Sequence, residues 1–239
     1  MKFSSGISFK ALALLAIAAF FTASASAQTQ SREASVMAIG GTASYSAGGS
    51  GNFTSLAIGT KLREGDVIKT GGGSHVDVDL GNNVGIVQVA PNSTVALKTM
   101  KVTSTEADVV TETDLDVKEG AIYFKVNKLA KASRYEITTP KGIAGIKGTS
   151  GYMAADGTLV IQEGLGAVSY PNNGTADTFV VRGGEMVSPT ERPPRPAPGL
   201  VLRDIVEALR DAATHGIGRD IQPFVPPIET FISPTLPGR

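Results

Sequence analysis

Alternating apolar and polar side chains dominate the chain from residue 35 to residue 187. In residues 75–80, HVDVDL, every second side chain is apolar, which is typical of a strand with one buried face and one solvated face. Residues 84–89 are apolar at both odd-numbered and even-numbered positions, which predicts a strand that is covered on both faces. Similar short segments recur up to residue 181, separated by turns rich in Gly, Asn and Pro. The pattern predicts an all-β domain.

Glycine dipeptides predict where the chain turns. Gly40-Gly41 separates two short apolar segments, and Asp156-Gly157 separates two more, so each pair predicts a tight hairpin. The order apolar, polar, Glu, Gly occurs at residues 62–65, 117–120 and 161–164, and the uneven spacing argues against a regular solenoid. An irregular β-solenoid and a sandwich-like fold are both compatible with so many short strands.

The character of the chain changes at residue 189. Residues 189–198 are rich in Pro and predict an extended linker, residues 199–216 predict one amphipathic helix, and residues 217–239 predict an extended tail. A lone helix of this length is marginal in water, so its apolar face should pack either on the β domain or on another protein. The candidate partner-binding residues on that face are Leu202, Ile205, Val206 and Leu209.

The first 27 residues have the three parts of a secretory signal. Lys2 and Lys10 precede and flank an apolar run at residues 11–21, and Ala25-Ser26-Ala27 offers small side chains for cleavage before residue 28. The run is about half as long as a bilayer span requires, although an uncleaved anchor is the alternative. We therefore expect an exported protein, periplasmic or extracellular, whose mature chain has no transmembrane span and whose β domain covers residues 28–188.

Composition excludes several function classes. The chain has no cysteine, which excludes disulfides, thiolate metal sites and thiol nucleophiles. Lys and Arg together number 22, as do Asp and Glu, so there is no basic excess of the kind that nucleic-acid binding requires.

No set of residues predicts catalysis. His75 and His215 are the only histidines, and neither lies in an HExxH or triad context. Residues 140–149 contain Lys and Gly in an order that differs from a phosphate-binding loop. Asp77 and Asp79 share the solvated face of a predicted strand, without the converging loops that a calcium site needs. We therefore predict no catalytic, cofactor-binding or metal-binding residue, and no enzyme activity.

Several short motifs, in order, resemble the FecR-like domain family. Leu-x-x-Gly-Asp occurs at residues 62–66, Pro-Asn-Ser at 91–93, Ile-Thr-Thr-Pro at 137–140 and Gly-Thr at 148–149. The resemblance covers about residues 36–187 and implies an all-β, solenoid-like domain that acts by protein contact without catalysis. The family-signature residues, each more typical of a turn than of a binding site, are Phe53, Gly65, Asp66, Thr70, Pro91, Gly120, Thr139, Pro140, Gly148, Thr149 and Gly184.

The chain also departs from the family's best-known members, which are periplasmic regulators of iron-transport signalling. Those regulators begin with a cytoplasmic sigma-factor-binding segment and a membrane helix, where this chain has a predicted cleavable signal. They end with a second small domain, where this chain has a linker, a helix and a tail. The resemblance therefore implies the fold and the binding character, and leaves direct anti-sigma activity in doubt.

Two functions are compatible with these observations. The first is a non-enzymatic protein-binding or scaffold module of the cell envelope, with another envelope protein as its partner and a role in signalling as one possibility. The second is a carbohydrate- or polymer-binding surface protein. Sugar sites usually stack rings on exposed aromatics, and the candidates for that role are Tyr45, Tyr123, Tyr152 and Tyr170.

Overall fold

The structure is a computed structural model that describes residues 28–104 and 108–216. They form many strands, a short 3-10 turn at Ala47–Gly49 and one α-helix. In chain order the elements are β1 (Gln28–Ser31), β2 (Ala34–Gly40), β3 (Ala43–Ser46), β4 (Thr54–Ser55), β5 (Lys61–Leu62), β6 (Val67–Thr70), β7 (His75–Asp79), β8 (Gly85–Val89), β9 (Thr94–Ser104), β10 (Val109–Glu119), β11 (Ala121–Val126), β12 (Arg134–Thr139), β13 (Gly142–Ala154), β14 (Leu159–Asn172), β15 (Thr175–Arg182), β16 (Glu185–Val187), β17 (Arg195–Pro196) and α1 (Gly199–Gly216).

The strands form a curled sheet that contains two series of hydrogen-bonded strands. We call each series a ladder. The first ladder runs β5-β2-β7-β8-β11-β13-β14-β16-β17, and the second runs β4-β3-β6-β9-β10-β12-β13-β14-β15. Every pairing is antiparallel except the parallel pair β10 and β12. Strand β1 pairs with the C-terminal end of β9. The chain passes repeatedly between the two ladders as it moves along the domain, so the winding is solenoid-like.

Strands β13 and β14 are long and bend at a common corner. One half of each strand pairs within the first ladder and the other half within the second. The register of their pairing shifts between Lys147 and Gly151, where the chain bends. Gly148 and Gly164 have φ of 61° and 93° at this corner, a region that favours glycine. The Thr149 hydroxyl donates to the Leu165 carbonyl at 2.7 Å and accepts the Leu165 N–H at 3.2 Å. This side chain therefore holds the two bent strands together.

One hydrophobic cluster fills the space between the ladders. Val76 and Val78 enter it from the first ladder, and Leu115 and Ile137 enter it from the second. The all-β prediction is confirmed, and a winding chain with one shared core combines features of the solenoid and sandwich alternatives. The predicted two-sided covering of β8 also holds, because both Val87 and its outward neighbour Gln88 are buried.

The two predicted hairpins have different outcomes. The prediction at Gly40-Gly41 is wrong, because β2 pairs with β5 and β7 whereas β3 pairs with β4 and β6. The glycines carry the chain from one ladder to the other, so the flanking strands find their partners apart. The prediction at Asp156-Gly157 is confirmed, since β13 and β14 pair beside it. Its loop has three residues, with Gly157 at a φ of 90°.

The Pro-rich segment 189–198 lies along the domain. The Arg192 guanidinium donates to an Asp177 carboxylate oxygen at 2.8 Å and lies 5.4 Å from the centre of the Tyr170 ring. The short strand β17 pairs with β16. The linker thus delivers the helix to the surface of the β domain.

The predicted signal at residues 1–27 and the predicted tail at residues 217–239 lie outside the described residues. Within 28–104 and 108–216, no helix has both the length and the apolar character that crossing a bilayer requires.

Candidate functional site

Helix α1 covers a row of outward-facing side chains on the first ladder. The members of this row are register partners on six successive strands, from β7 across to β16. Five strand spacings amount to about 24 Å, and an 18-residue helix is about 27 Å long. The helix therefore matches the width of the row. We call this row the helix-docking strip; it consists of Asp77, Gln88, Tyr123, Tyr152, Val160 and Met186.

Apolar contacts hold the helix on most of this strip. Ile205 is 0% exposed and packs with Leu209 and Val160 in a cluster separate from the main core. The Tyr123 and Tyr152 rings lie beneath the helix with their centres 5.2 Å apart. Of the four candidate partner-binding residues, Ile205 and Leu209 are buried and Leu202 and Val206 are half-buried. The helix face thus packs on its own β domain, the intramolecular alternative of the sequence analysis.

A polar cluster fixes the C-terminal end of the helix. The Asp77 side chain is completely buried, and its two oxygens accept from Gln88 Nε2 at 2.9 Å and from His215 Nδ1 at 3.0 Å. Gln88 Nε2 also donates to the Ala208 carbonyl of the helix at 3.3 Å. Because an unpaired buried carboxylate is costly, the cluster favours a helix whose end is seated in this one position.

The cluster corrects the prediction that Asp77 and Asp79 share a solvated face. Asp79 is partly exposed and accepts the Gly81 N–H at 2.9 Å, but the helix removes Asp77 from water. His75, on the same strand, is half-buried beside Gly40. A pattern within one strand does not show that a helix more than a hundred residues later will cover it.

The Asp77–His215 pair resembles the base and orienting carboxylate of a hydrolytic triad. Within the described part of the chain, no hydroxyl or other side chain hydrogen-bonds to the remaining face of His215. The described residues likewise contain no group of three or more His, Cys, Asp or Glu side chains placed to hold a metal ion. The pair is therefore best explained as a structural contact that holds the end of the helix on the sheet.

A groove of about 600 Å³ lies beside the end of the helix. Its floor is the outward row next to the helix-docking strip, in which Ser35, Asp79, Ile86 and Lys125 are register partners. Ala213 and His215 of the helix form one wall. We call this feature the helix-end groove. Its other lining residues include Val36, Met37, Ile58, Lys61, Asn83 and Asn127.

The signature residues form hydrogen-bonded turns. The Asp66 carboxylate accepts the N–H groups of Gly48 and Arg63, both at 2.8 Å. The Thr70 hydroxyl donates to the Ala90 carbonyl at 2.6 Å. The Thr139 hydroxyl accepts the Gly142 N–H at 3.1 Å across the turn between β12 and β13. These short polar side chains close turns at the ends of strands, so their role here is structural.

Residues 66–168 match the family model described as FecR protein. This confirms the resemblance. The match covers somewhat less than half of the chain, and the FecR-like segment runs from the turn at Asp66 through the corner of β13 and β14.

The comparison with solved structures gives two crystal structures, at 2.50 and 1.65 Å, each described as "a putative anti-sigma factor from Parabacteroides distasonis ATCC 8503". Their TM-scores are 0.41 and 0.40, with 14% sequence identity and 55% of this chain covered. The chain spans only 58% of the length of those structures, and the likeness carries no functional argument. No curated protein matches this chain.

Most of the remaining signature residues also lie at turns and bends of the β domain. Gly65, Gly120 and Gly184 have φ of 93°, 71° and 84°, and Pro140 occupies the exposed turn before β13. Pro91 opens the turn that ends at Ser93, whose hydroxyl accepts the Ala121 N–H at 2.9 Å. Phe53 is 43% exposed, and the Lys69 ammonium lies 6.0 Å from the centre of its ring.

Burial accounts for the pKa shifts of the tyrosines. It raises the pKa of Tyr152, beneath the helix, to about 12, and it also raises the pKa of Tyr123. The pKa values of Tyr135 and Tyr170 are raised by burial as well. Within residues 28–104 and 108–216, no carboxylate or imidazole hydrogen-bonds to any of these phenols, so the shifts indicate packing.

A buried arginine lies where β1 leads into the domain. The Arg32 guanidinium donates to the Leu80 carbonyl and to the Thr113 hydroxyl, and burial lowers its pKa to about 10. It therefore stays charged at neutral pH. No sequence pattern distinguishes this arginine from an exposed one, so sequence reasoning missed it.

The outer face of the second ladder carries exposed aliphatic side chains near the C-terminal end of the β domain. Ile143, Leu165 and Val180 project from it and are each about half exposed (49%, 51% and 46%). Val180 faces Ala167 across the ladder, and Leu165 lies between Lys147 and Arg182. Among the described strands, β15 pairs only with β14, so its other backbone edge has no partner strand, although the Arg182 N–H at its end donates to the Glu185 carboxylate at 2.8 Å. We call this surface the β15 face.

Proposed function

We propose that this chain is an exported, non-enzymatic module of the cell envelope that acts by binding another protein, in a signalling context. The observation that carries the proposal is the FecR match, which falls on an all-β domain of paired strands around one packed core. Such a domain offers rigid sheet faces for docking.

The β15 face supports protein contact as the mode of action. Its three half-exposed aliphatic side chains lie on neighbouring strands and are flanked by Lys147 and Arg182. An apolar centre with a charged rim is typical of protein interfaces. The free edge of β15 can also accept an added strand, a common way for a sheet to bind an extended segment.

The tyrosine positions disfavour carbohydrate binding. Tyr170 is buried, Tyr45 is half-buried against the main core, and Tyr123 and Tyr152 lie under the helix. Tyr135, the fifth tyrosine of the chain, is buried as well. A sugar ring needs an exposed aromatic face on which to stack, and none of the tyrosines offers one. Protein binding is therefore the better-supported function.

Affinity capture from envelope extracts tests the proposal. The full-length wild-type chain should retain one specific protein, and Leu165→Asp should reduce its recovery at least about tenfold because a buried charge in an apolar interface is strongly unfavourable. Leu200→Asp is the matched control, since Leu200 is 65% exposed on the helix, away from this face. Equal recovery by both variants would contradict the role of the β15 face, and the absence of any specific partner would contradict the function.

A further inference from the structure

We propose that the helix-end groove binds the chain's own C-terminal tail, residues 217–239. The tail would then serve as a built-in occupant of the outer face of the first ladder. The proposal goes beyond partner binding and involves a face other than the β15 face.

The position where the helix ends supports this occupant. Helix α1 ends at Gly216, and Ala213 and His215 in its last turn already form a wall of the groove. The cluster of Asp77, Gln88 and His215 holds that end in place. The helix therefore ends beside the groove. The eight residues 217–224 can span up to about 26 Å when extended, so Phe224 is within reach of a groove that lies beside the end of the helix.

The lining of the groove suits an apolar extended segment. Met37 and Ile86 are half-buried on its floor, Val36 lies beneath, and Ile58 at the rim is 66% exposed. An aliphatic side chain this exposed beside a concave apolar surface is a feature that an occupant would cover. The tail supplies large apolar side chains between prolines; they are Phe224, Val225, Ile228, Phe231, Ile232 and Leu236.

The charges at the rim fit the same segment. Lys61 Nζ donates to the Ser35 hydroxyl at 2.6 Å, and Lys125 projects from the floor row. Asp79 is the one carboxylate of the lining. Glu229 is the single acidic residue between residues 221 and 239, and it lies in the middle of the apolar part of the tail. The Glu229 carboxylate can therefore form an ion pair with Lys61 or Lys125.

Tethering makes weak intrinsic binding sufficient. A segment joined to its site by a short linker experiences a local concentration in the millimolar range. At such a local concentration, a few apolar contacts and one ion pair are enough to keep the tail bound in the same molecule.

Disulfide trapping tests the proposal, because the natural chain contains no cysteine to interfere. In the full-length protein, Ile58→Cys combined with Ile228→Cys should form an intramolecular disulfide about tenfold faster than Val180→Cys combined with Ile228→Cys. Val180 is comparably accessible but lies on the other ladder. Equal rates for the two pairs, or a disulfide that forms between molecules and depends on protein concentration, would overturn the proposal.

Limited proteolysis provides a second measurement that needs no cysteine. Ile58→Asp should increase the rate of chymotrypsin cleavage after Phe231 several-fold, whereas Val180→Asp should leave it unchanged. Ile58 is exposed, so this substitution should not unfold the domain. If cleavage is equally fast in the wild type and in Ile58→Asp, the tail does not occupy the groove. Neither outcome depends on whether a partner binds the β15 face.

Discussion

At the scale of single residues, the domain depends on close approaches that only particular side chains permit. Gly120 shows this best, because it has a φ of 71° and an added Cβ would lie 2.1 Å from the Ser93 hydroxyl. That hydroxyl accepts the Ala121 N–H at 2.9 Å, so the glycine and the serine together close the start of β11. The Glu-Gly pattern in the sequence predicted a turn here. It did not predict that the Pro-Asn-Ser turn would pack against it.

We expect Gly120→Ala to lower the free energy of unfolding by about 2–4 kcal/mol, from the left-handed backbone and the clash together. Urea denaturation of the full chain would measure the loss. Gly145→Ala is the matched control, because its φ lies outside the left-handed region and nothing lies within 4 Å of its added Cβ. That variant should change stability by less than about 1 kcal/mol, and equal losses in both would contradict the explanation.

At the scale of elements, the stability of the helix depends on its packing against the sheet. An isolated helix of this length is marginal in water, and α1 obtains its stability from Ile205, Leu209 and the tyrosines beneath them. The sheet also gains from the helix, which covers the buried carboxylate of Asp77. The helix and the strip are therefore expected to loosen together.

Ile205→Ala should weaken helix docking by about 2–4 kcal/mol, because it creates a cavity at a fully buried site. Absorbance titration of the tyrosines can report the change. Docking raises the pKa of Tyr152 to about 12 by burial, so loss of docking should move this titration toward the ordinary value of about 10. Leu200→Ala is the control, since Leu200 is 65% exposed. An unchanged Tyr152 titration in Ile205→Ala would show that the helix does not bury this phenol.

The same shift gives helix docking a pH dependence. Because the docked state raises the Tyr152 pKa above its undocked value, docking has its full strength below about pH 10. It should weaken as pH rises from 10 toward the docked pKa of about 12.

At the scale of the whole molecule, the proposed export would determine which partners the protein can meet. The predicted cleavage position lies immediately before β1, whose first residue is Gln28. Gln28 pairs with Ser104 of β9, and Arg32 enters the domain immediately after β1. A mature chain that starts at Gln28 therefore keeps the first strand of the fold.

Expression in a bacterial host should yield a periplasmic or secreted form whose N-terminal residue is Gln28. Ala27→Phe should block this cleavage, because a large side chain replaces the small one required at that position. Ala18→Leu, within the apolar run, should leave it intact. Intact-mass measurement of fractionated protein distinguishes these outcomes, and an unprocessed wild-type chain that stays with the membrane would contradict the export proposal.

Local sequence patterns were sufficient to predict much of this protein's structure. The alternation in residues 75–80, the turn at Asp156-Gly157 and the apolar face of the helix each involve neighbours in sequence, and the backbone periodicities of strand and helix make such patterns readable. The ordered turn motifs were likewise enough to indicate the FecR resemblance. What the sequence by itself determined was therefore the all-β class, the helix and the type of domain.

Contacts between distant residues were decided only by the tertiary structure. Gly40-Gly41 became a crossing between ladders because β2 and β3 found partners elsewhere, and Asp77 became buried because His215, 138 positions later, closed over it. The helix-end groove exists only where the last turn of the helix meets the outer face of β2, β7, β8 and β11. The physical reason is that burial and pairing depend on which surfaces meet in space, and a one-dimensional pattern specifies which face is apolar without specifying what covers it.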